Sequence, residues 1–303
     1  MAGVVALGEC MVELSLTGMG DALVGYAGDT FNTAVYLQRL GAHAAYATAL
    51  GAGDPFSLAI LGKMAEEGMD SRLVVQAEHR VPGLYAIQRG ANGERSFYYW
   101  RGEAPARDYF ELVDVAKLKA AMLEAKLVYL SGISLAVIGE RGRAVLIPML
   151  RELAAAGVAV AFDTNYRTRL WPGPEVAGAA IHATIAASAY LSISEEDVAA
   201  WGGGDARTLA RDWAAKGIEV VLRHDDQRIE VMSGDKVETF TPERPIPVVD
   251  TTGAGDAFNA AYLAARLKNR PVKDAVAAAR RLAAVVVQHP GAIIARTSMP
   301  DMG

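Results

Sequence analysis

Short apolar runs alternate with longer amphipathic stretches along most of this chain. Runs of four to eight mostly apolar residues predict strands buried on both faces of a parallel sheet. These runs lie at residues 4–7, 43–50, 127–130, 158–162, 190–193 and 218–222. Helices are predicted at residues 29–40, 56–67, 138–155, 175–187, 253–267 and 272–288, with a further helical stretch from residue 195. This order predicts a doubly wound α/β fold, with a mostly parallel sheet covered by helices on both faces.

Two segments interrupt that alternation. Residues 12–26 contain three glycines and show no helical period, which predicts a hairpin. Asn92-Gly93, between two runs rich in aromatic residues, is the strongest short-range signal of a second hairpin. We therefore expect a small β lid, made of about residues 11–26 and 82–101, inserted into a single domain that spans residues 1–303.

Composition narrows the class of protein. The chain has 303 residues, of which 52% are hydrophobic and 21% charged, with a formal net charge of -5. A mildly acidic balance without basic runs argues against nucleic acid as a partner. The lone Cys10 excludes an intramolecular disulfide and a cysteine-based zinc cluster. With neither a secretory signal nor an apolar run of membrane-spanning length, we expect a cytoplasmic protein with no membrane partner.

The segment from Asp250 to Phe258 carries the chemistry most clearly. Its glycines allow a tight turn at the start of a helix, where backbone amides lack intrahelical acceptors and attract anions. Asp256 places a carboxylate in the first turn of that helix. A carboxylate beside a bound phosphate is explained by a base that takes a proton from an attacking hydroxyl. The alternative is an aspartate that only stabilises the helix N-terminus.

The order D-T-x-G-A-G-D-x-F in this segment resembles the C-terminal signature of the ribokinase-like (PfkB) sugar kinases. The resemblance extends along essentially the whole chain and implies a ribokinase-like fold. It also implies an anion hole at Gly253, Ala254 and Gly255, and a catalytic base at Asp256 that also meets the sugar. The implied cofactors are ATP and Mg²⁺, with a monovalent cation as a further option.

Near the N-terminus, a string resembles the family element G-G-D-x-x-N, with its first glycine replaced by alanine. The resemblance implies that Gly28, Asp29 and Asn32 hold the sugar. The residues alone allow another interpretation for Asp29, which is an ordinary helix cap. Glu9 and Glu13, after the first strand, are either solvated loop residues or ligands for sugar hydroxyls.

Three strings, PGLY, FYYWR and NYRTRLW, are most similar to the 2-keto-3-deoxygluconate kinases within the family. This likeness implies that Tyr85, Tyr99, Arg101 and Arg167 contact the substrate. Two guanidinium groups suit a carboxylate, which they bind bidentately, whereas a neutral sugar would leave them without a partner. The alternatives are that the aromatic residues only pack the sheet and that the arginine after the strand caps loop carbonyls.

On the nucleotide side, Ser194-Glu195-Glu196-Asp197 occupies the position of the family element N-x-x-E. The resemblance implies nucleotide contacts from Ser194 and from Asn165, and an indirect role in binding magnesium for Glu196 and Asp197. Since two of the family's residue types are replaced here, an acidic helix N-terminus is the competing interpretation.

The family's K-x-G-x-x-G nucleotide loop corresponds to a segment that begins at Arg223. Both Arg223 and Asp225 are implied to bind the nucleotide, although Asp225 stands where the family has glycine. A carboxylate there would repel a triphosphate unless a cation neutralises it. Alternatively, Asp225 points to solvent or caps the following turn.

The implied reaction is transfer of the ATP γ-phosphoryl group to the 6-hydroxyl of 2-dehydro-3-deoxy-D-gluconate, a small sugar acid. Two alternatives remain: a kinase of the same family for another sugar such as ribose or fructose, and a non-catalytic sugar-acid sensor on the same fold. The apolar and aromatic outer face of the lid predicts a homodimer or a higher homo-oligomer.

Overall fold

The computed structural model describes residues 3–18, 20–89, 95–242 and 246–302. Within these ranges the strands are β1 (Val4–Leu7), β2 (Met11–Leu16), β3 (Ala22–Ala27), β4 (Ala44–Gly51), β5 (Val74–Ala77), β6 (Leu84–Arg89), β7 (Arg95–Trp100), β8 (Leu127–Ser131), β9 (Ala159–Asp163), β10 (Tyr190–Ser194), β11 (Glu219–Arg223), β12 (Ile229–Ser233) and β13 (Lys236–Phe240). They form a nine-stranded sheet and a four-stranded sheet.

The nine-stranded sheet has the order β13-β12-β11-β10-β9-β8-β1-β4-β5. Every pairing from β11 to β5 is parallel, and β12 and β13 add an antiparallel hairpin at one edge. The predicted doubly wound, mostly parallel sheet is therefore confirmed. The strand order reverses between β1 and β8, and a crevice opens at such a point beyond the carboxyl ends of the strands.

Both faces of this sheet are buried. Along β1, Val4 and Ala6 belong to one apolar cluster, whereas Val5 and Leu7 belong to the other. Because successive side chains of a strand point to opposite faces, an unbroken apolar run is what a sheet covered on both sides requires.

Helices cover the two faces: α1 (Asp29–Arg39), α2 (Pro55–Glu67), α3 (Tyr109–Leu112), α4 (Val115–Leu123), α5 (Gly132–Val137), α6 (Gly139–Ala155), α7 (Pro174–Ile185), α8 (Glu195–Trp201), α9 (Ala206–Ala214), α10 (Ala254–Leu267) and α11 (Val272–Val286). Short 3₁₀ turns lie at Pro105–Asp108, Thr168–Leu170 and Arg296–Ser298. None of the helices in the described ranges is long and apolar enough to cross a membrane.

The structure contains elements that were not predicted from the sequence. Directly after β8, α5 begins at Gly132, because Ser131 and Ser134 form a reciprocal capping box. Strands β5, β12 and β13 were not predicted either. The charged residues of β13 lie exposed at the sheet edge, so the strand lacks the apolar run that marks the central strands.

The four-stranded sheet forms the predicted lid and has the order β3-β2-β6-β7. Antiparallel pairings join β2 to β3 and β6 to β7, and a parallel pairing joins β2 to β6. The turn expected at Asn92-Gly93 lies outside the described residues. Opposite partners share a face, so the register of Glu13 with Tyr85, and of Tyr85 with Tyr99, places these three side chains on one face of the lid.

Candidate active site

A cleft of about 980 Å³ lies where the carboxyl ends of the parallel strands meet the lid. Asp163, Ser194 and Arg223 line it, and they are the last residues of β9, β10 and β11. With one exception, the residues to which the family resemblance assigns a site role also line it: Gly28, Asp29, Asn32, Tyr85, Tyr99, Arg101, Asn165, Arg167, Ser194, Glu196, Asp197, Arg223, Asp225, Gly253, Gly255 and Asp256. Of the two glutamates, Glu9 lines the cleft and Glu13 does not.

The exception is Ala254. Its amide donates to the Thr251 carbonyl at 3.3 Å and closes the turn before α10, so it is not the free donor that the sequence suggested. Gly253, the N-cap of α10, has φ +75°, and a Cβ there would lie 2.7 Å from the Ala292 carbonyl oxygen. The amides of Gly255 and Asp256 belong to the first turn, where the helix supplies no acceptor. These two amides are therefore the ones placed to bind an anion.

Asp256 is buried at the start of α10, and its Oδ2 accepts a hydrogen bond from Asn32 Nδ2 at 2.8 Å. Burial raises the pKa of Asp256 well above its usual range, and the nearby carboxylate of Asp29 adds to the rise. The Asn32 hydrogen bond and the Arg223 guanidinium act in the opposite direction. A carboxylate with a raised pKa holds a proton more tightly, which suits a general base.

Asp29 does not cap α1, because the cap position belongs to Gly28. Its Oδ2 instead accepts a hydrogen bond from Asn165 Nδ2 at 2.8 Å. Asn165 has φ +29°, which turns the chain after β9 toward the start of α1. The family resemblance places Asn165 at the nucleotide and Asp29 at the sugar. In the structure these two residues contact each other.

Asp163 lines the cleft, although it was not predicted as a site residue from the sequence. Its Oδ1 accepts a hydrogen bond from Arg223 Nη2 at 3.0 Å, and its Oδ2 accepts one from Asn259 Nδ2 at 2.9 Å. Burial raises the pKa of Asp163 to about 6, although the Arg223 charge lowers it. A Cβ at Gly255 would lie 2.8 Å from Arg223 Nη1. The Asp163 contact therefore holds a guanidinium beside the anion-binding turn.

The two glutamates after β1 are buried, so the interpretation as solvated loop residues is wrong. Glu9 forms an ion pair with Arg101, and both side chains are almost inaccessible to solvent. Burial raises the pKa of Glu9 despite that pairing, and its Oε1 has no hydrogen-bond partner among the residues that the structure describes. Glu13 accepts a hydrogen bond from the Tyr85 hydroxyl, and the Tyr85 ring stacks on that of Tyr99 at 5.7 Å.

Ser194 is the N-cap of α8, and its hydroxyl accepts a hydrogen bond from the Asp197 amide at 3.1 Å. Asp197 is buried and accepts hydrogen bonds from Thr164 Oγ1 at 2.7 Å and from the Tyr166 amide at 3.1 Å. Arg167 Nη1 lies 3.7 Å from Asp197 Oδ1. Asp197 therefore organises the loop after β9.

The residues in the cleft fit a magnesium ion of the kind that binds nucleotides. Mg²⁺ in phosphate sites takes one or two carboxylates and completes its shell with phosphate oxygens and water. Glu196 is exposed in the cleft, whereas both oxygens of Asp197 already accept protein donors. Within the described ranges, no group of three or more acidic, histidine or cysteine side chains is placed to hold an ion alone. Glu196 is the better candidate of the predicted pair.

A hydrogen-bonded network holds the loop after β11. His224 Nδ1 lies 2.7 Å from Glu195 Oε1, and its Nε2 lies 3.3 Å from Glu230 Oε2. The Asp225 amide donates to Glu195 Oε2 at 3.0 Å, which joins this loop to the start of α8. This network was not predicted from the sequence, because Glu230 lies on β12, a strand that the apolar pattern did not reveal.

The model of the pfkB family carbohydrate kinases matches residues 1–299. A 2-dehydro-3-deoxygluconokinase of Dickeya dadantii (strain 3937) is 39% identical over 306 residues, covering 97% of each chain. A fructokinase of Klebsiella pneumoniae is 28% identical over 265 residues, covering 85% of this chain and 82% of its own. A crystal structure of a putative ribokinase II from E. coli in complex with ATP and Mg²⁺ has a TM-score of 0.82 at 21% identity, covering 97% of this chain and 95% of that one. The likeness to that structure confirms the predicted ribokinase-like fold.

Proposed function

This chain belongs to the pfkB family of carbohydrate kinases, and we propose on that basis that it transfers the γ-phosphoryl group of ATP to the 6-hydroxyl of 2-dehydro-3-deoxy-D-gluconate. The products are 2-dehydro-3-deoxy-6-phosphogluconate and ADP. The observation that carries the proposal is the buried carboxylate of Asp256, which lies beside first-turn amides of α10 in a cleft lined by arginines. The family resemblance inferred from the sequence is confirmed.

In the proposed reaction, the 6-hydroxyl oxygen forms a bond to the γ-phosphorus, and the bond from that phosphorus to the β,γ-bridging oxygen breaks. Asp256 accepts the proton of the hydroxyl, and ADP leaves with the bridging oxygen. Two features support this role: Asn32 orients the Asp256 carboxylate by a hydrogen bond, and burial raises the pKa of Asp256. A base with a pKa closer to the working pH is more effective than an ordinary aspartate.

The charge on the transferred group would be stabilised by the amides of Gly255 and Asp256 and by Arg223, whose guanidinium lies beside Gly255. Donors held in place before the reaction need no reorganisation as charge shifts, which is the largest contribution in phosphoryl transfer. Mg²⁺, with Glu196 as its protein ligand, would supply further neutralisation of phosphate charge. A monovalent cation is a further cofactor in the proposal. Replacing K⁺ in the assay by a bulky organic cation should then lower the rate of ADP formation.

The substrate class follows from the sugar side of the cleft. Arg101 and Arg167 line it together with Tyr85, Tyr99 and Asn32. Guanidinium groups recognise carboxylates by paired hydrogen bonds, so a sugar acid uses this part of the cleft better than ribose or fructose does. The 39% identity to a kinase named for this sugar acid, against 28% to a fructokinase, supports the same choice.

The deciding experiment measures ADP formation with excess Mg²⁺ and saturating 2-dehydro-3-deoxy-D-gluconate, ribose, fructose or adenosine, each over a range of concentrations. The expected result is a kcat/KM for the sugar acid at least about 100-fold above that for any neutral acceptor, the scale of two or more lost charge-assisted hydrogen bonds. Phosphorus NMR of the product identifies the phosphorylated position. A neutral sugar as best substrate would support the other kinase class, and binding of the acid without ADP formation would support a sensor.

The proposal extends to assembly and location. The outer face of the lid exposes Val24 (54% accessible) and Trp100 (62%), next to Leu16 and Tyr98. Apolar side chains concentrated on one sheet face suit a second copy of this chain. Sedimentation of the wild type and of Val24→Asp/Trp100→Ser tests this, with a dimer expected for the first and a monomer for the second. An enzyme that consumes ATP and releases a phosphorylated sugar acid fits the cytoplasm, and cell fractionation checks that expectation.

A further inference from the structure

Four arginines of the described residues line the cleft, and three of them lie beside carboxylates of the protein. Arg101 pairs with Glu9, Arg223 pairs with Asp163 at 3.0 Å, and the half-exposed Arg167 lies 3.7 Å from Asp197. The N–H groups of a guanidinium that point to a protein carboxylate are not available to a ligand. The predicted pair, Arg101 and Arg167, therefore offers a sugar acid fewer free donors than two unpaired arginines would.

Arg169 is the fourth arginine, and no carboxylate of the described residues pairs with it. It is an exposed residue of the turn Thr168–Leu170, and its guanidinium carbon lies 4.3 Å from the centroid of the Tyr99 ring. A guanidinium stacked on an aromatic face keeps its N–H groups free in its own plane. Arg169 is thus oriented by a ring of the lid while its donors remain available.

We infer that Arg169 binds the carboxylate of the sugar acid and is the residue that makes the enzyme select an acid over a neutral sugar. This inference rests on the proposed function and deepens it. The pairing of the arginines supports it, because Glu9 pairs with Arg101 and Asp197 lies beside Arg167, whereas no carboxylate of the described residues pairs with Arg169. Tyr99 is held in turn by stacking on Tyr85, so the Arg169 position is supported from the lid.

Arg169 lies where the core of the domain meets the lid. The turn that carries Arg169 belongs to the core, whereas Tyr99 belongs to β7 of the lid. A carboxylate bound by Arg169 would therefore lie at the junction of lid and core, beside the sugar-side residues. A neutral sugar could not form the charge-assisted hydrogen bond with this guanidinium and would therefore bind more weakly than the acid.

The test compares wild type, Arg169→Gln and Arg169→Lys with two acceptors. One is 2-dehydro-3-deoxy-D-gluconate, and the other is 3-deoxy-D-erythro-hexulose, in which the carboxylate is replaced by a hydroxymethyl group. For Arg169→Gln we expect KM for the acid to rise about 10- to 100-fold, the equivalent of one hydrogen bond between charged groups. We expect KM for the neutral analogue to change less than about threefold, and Arg169→Lys to recover part of the loss because it keeps the charge.

Lys216→Gln is the matched control, since Lys216 lies over the Trp213 ring at 4.1 Å and neither residue lines the cleft. It should leave both KM values unchanged. Equal losses for acid and analogue in Arg169→Gln would overturn the inference and assign Arg169 to holding the lid. An unchanged KM for the acid in Arg169→Gln would also overturn the inference about Arg169. The proposed function would still hold if the wild type phosphorylates the acid. A wild type that does not phosphorylate the acid would overturn both.

Discussion

The ion pair between Glu9 and Arg101 leads to a prediction about the stability of the folded protein. Glu9 is 3% exposed, and the Arg101 side chain is 10% exposed. Removing only the arginine leaves a carboxylate that burial already disfavours in its charged form. In Arg101→Gln, we expect Glu9 to take up a proton on folding rather than remain charged and unpaired.

The cost of that protonation has an upper limit. The ordinary pKa of Glu9 is 4.5, and each unit of pKa corresponds to about 1.4 kcal/mol, so folding with a protonated Glu9 costs at most about 3.4 kcal/mol at pH 7. The same limit is about 0.7 kcal/mol at pH 5. Since the pKa of Glu9 is raised already in the wild type, the measured difference will be below these limits. At about 2 °C per kcal/mol for a chain of this size, the fall in Tm at pH 7 is up to about 7 °C.

The direction of the pH dependence follows from the difference in proton binding between the folded and unfolded states. A carboxyl whose pKa is higher in the folded than in the unfolded protein loses stability as pH rises above the unfolded value. The deficit of Arg101→Gln should therefore grow between about pH 5 and pH 7. The double variant Glu9→Gln/Arg101→Gln carries neither charge, so its stability should return to within about 1 kcal/mol of wild type at pH 7.

The assay is thermal and urea unfolding of the wild type and both variants at pH 5 and pH 7. Arg141→Gln is the control, since it removes an arginine from an exposed pair with Glu111 and should leave Tm unchanged at both pH values. A deficit of the same size at pH 5 and pH 7 would refute the reasoning, because lost packing does not titrate. A double variant no more stable than Arg101→Gln would refute it too.

Three further predictions concern catalysis and use steady-state kinetics. Asp256→Asn should lower kcat by about two to four orders of magnitude with little change in sugar affinity, because it removes the base; activity within a few-fold of wild type would exclude Asp256 from proton transfer. Asp29→Asn should move the acid limb of the kcat profile to lower pH, because the Asp29 charge raises the pKa of Asp256 and only the deprotonated form is active; an unmoved limb would contradict this. Asp225→Gly should lower KM for ATP and leave the sugar KM unchanged, because the exposed carboxylate lines the nucleotide side of the cleft; an unchanged or higher KM for ATP would mean that Asp225 does not repel the nucleotide.

The central layers of the fold were predictable because their signals are local. The apolar runs of β1, β4 and β8 to β11 mark strands buried on both faces, and the lid strands appear as the breaks in that pattern. The turn before α10 was predictable for the same reason, because the φ of +75° at Gly253 is a requirement of the backbone at that residue. Strands β5, β12 and β13 carry a weaker signal, because polar or charged residues interrupt their short apolar runs, as Gln76 does in β5 and Glu230 does in β12.

Most of the residues that line the cleft were also predictable, since parallel strands bring their carboxyl ends to one edge of the sheet and the candidates follow those ends, although Asp163 and Arg169 were not predicted. The partners of these residues were not. Glu9 and Arg101 are 92 residues apart in sequence, Asp29 and Asn165 are 136 apart, and Asn32 and Asp256 are 224 apart. A periodicity within a dozen residues contains no information about such pairs.

The pairing decides the chemistry of each group. Asp29 could cap its own helix by local geometry, but packing brings Asn165 within hydrogen-bonding distance of it. Arg101 has the residue type of a carboxylate binder, yet the fold places a buried glutamate against it, while no carboxylate of the described residues pairs with Arg169. The sequence by itself determined the layers, the turn and most of the side chains at the cleft, because these depend on local backbone and solvent preferences. Only the tertiary structure decided which charges are neutralised inside the protein, because Coulomb interactions and desolvation depend on distances in space.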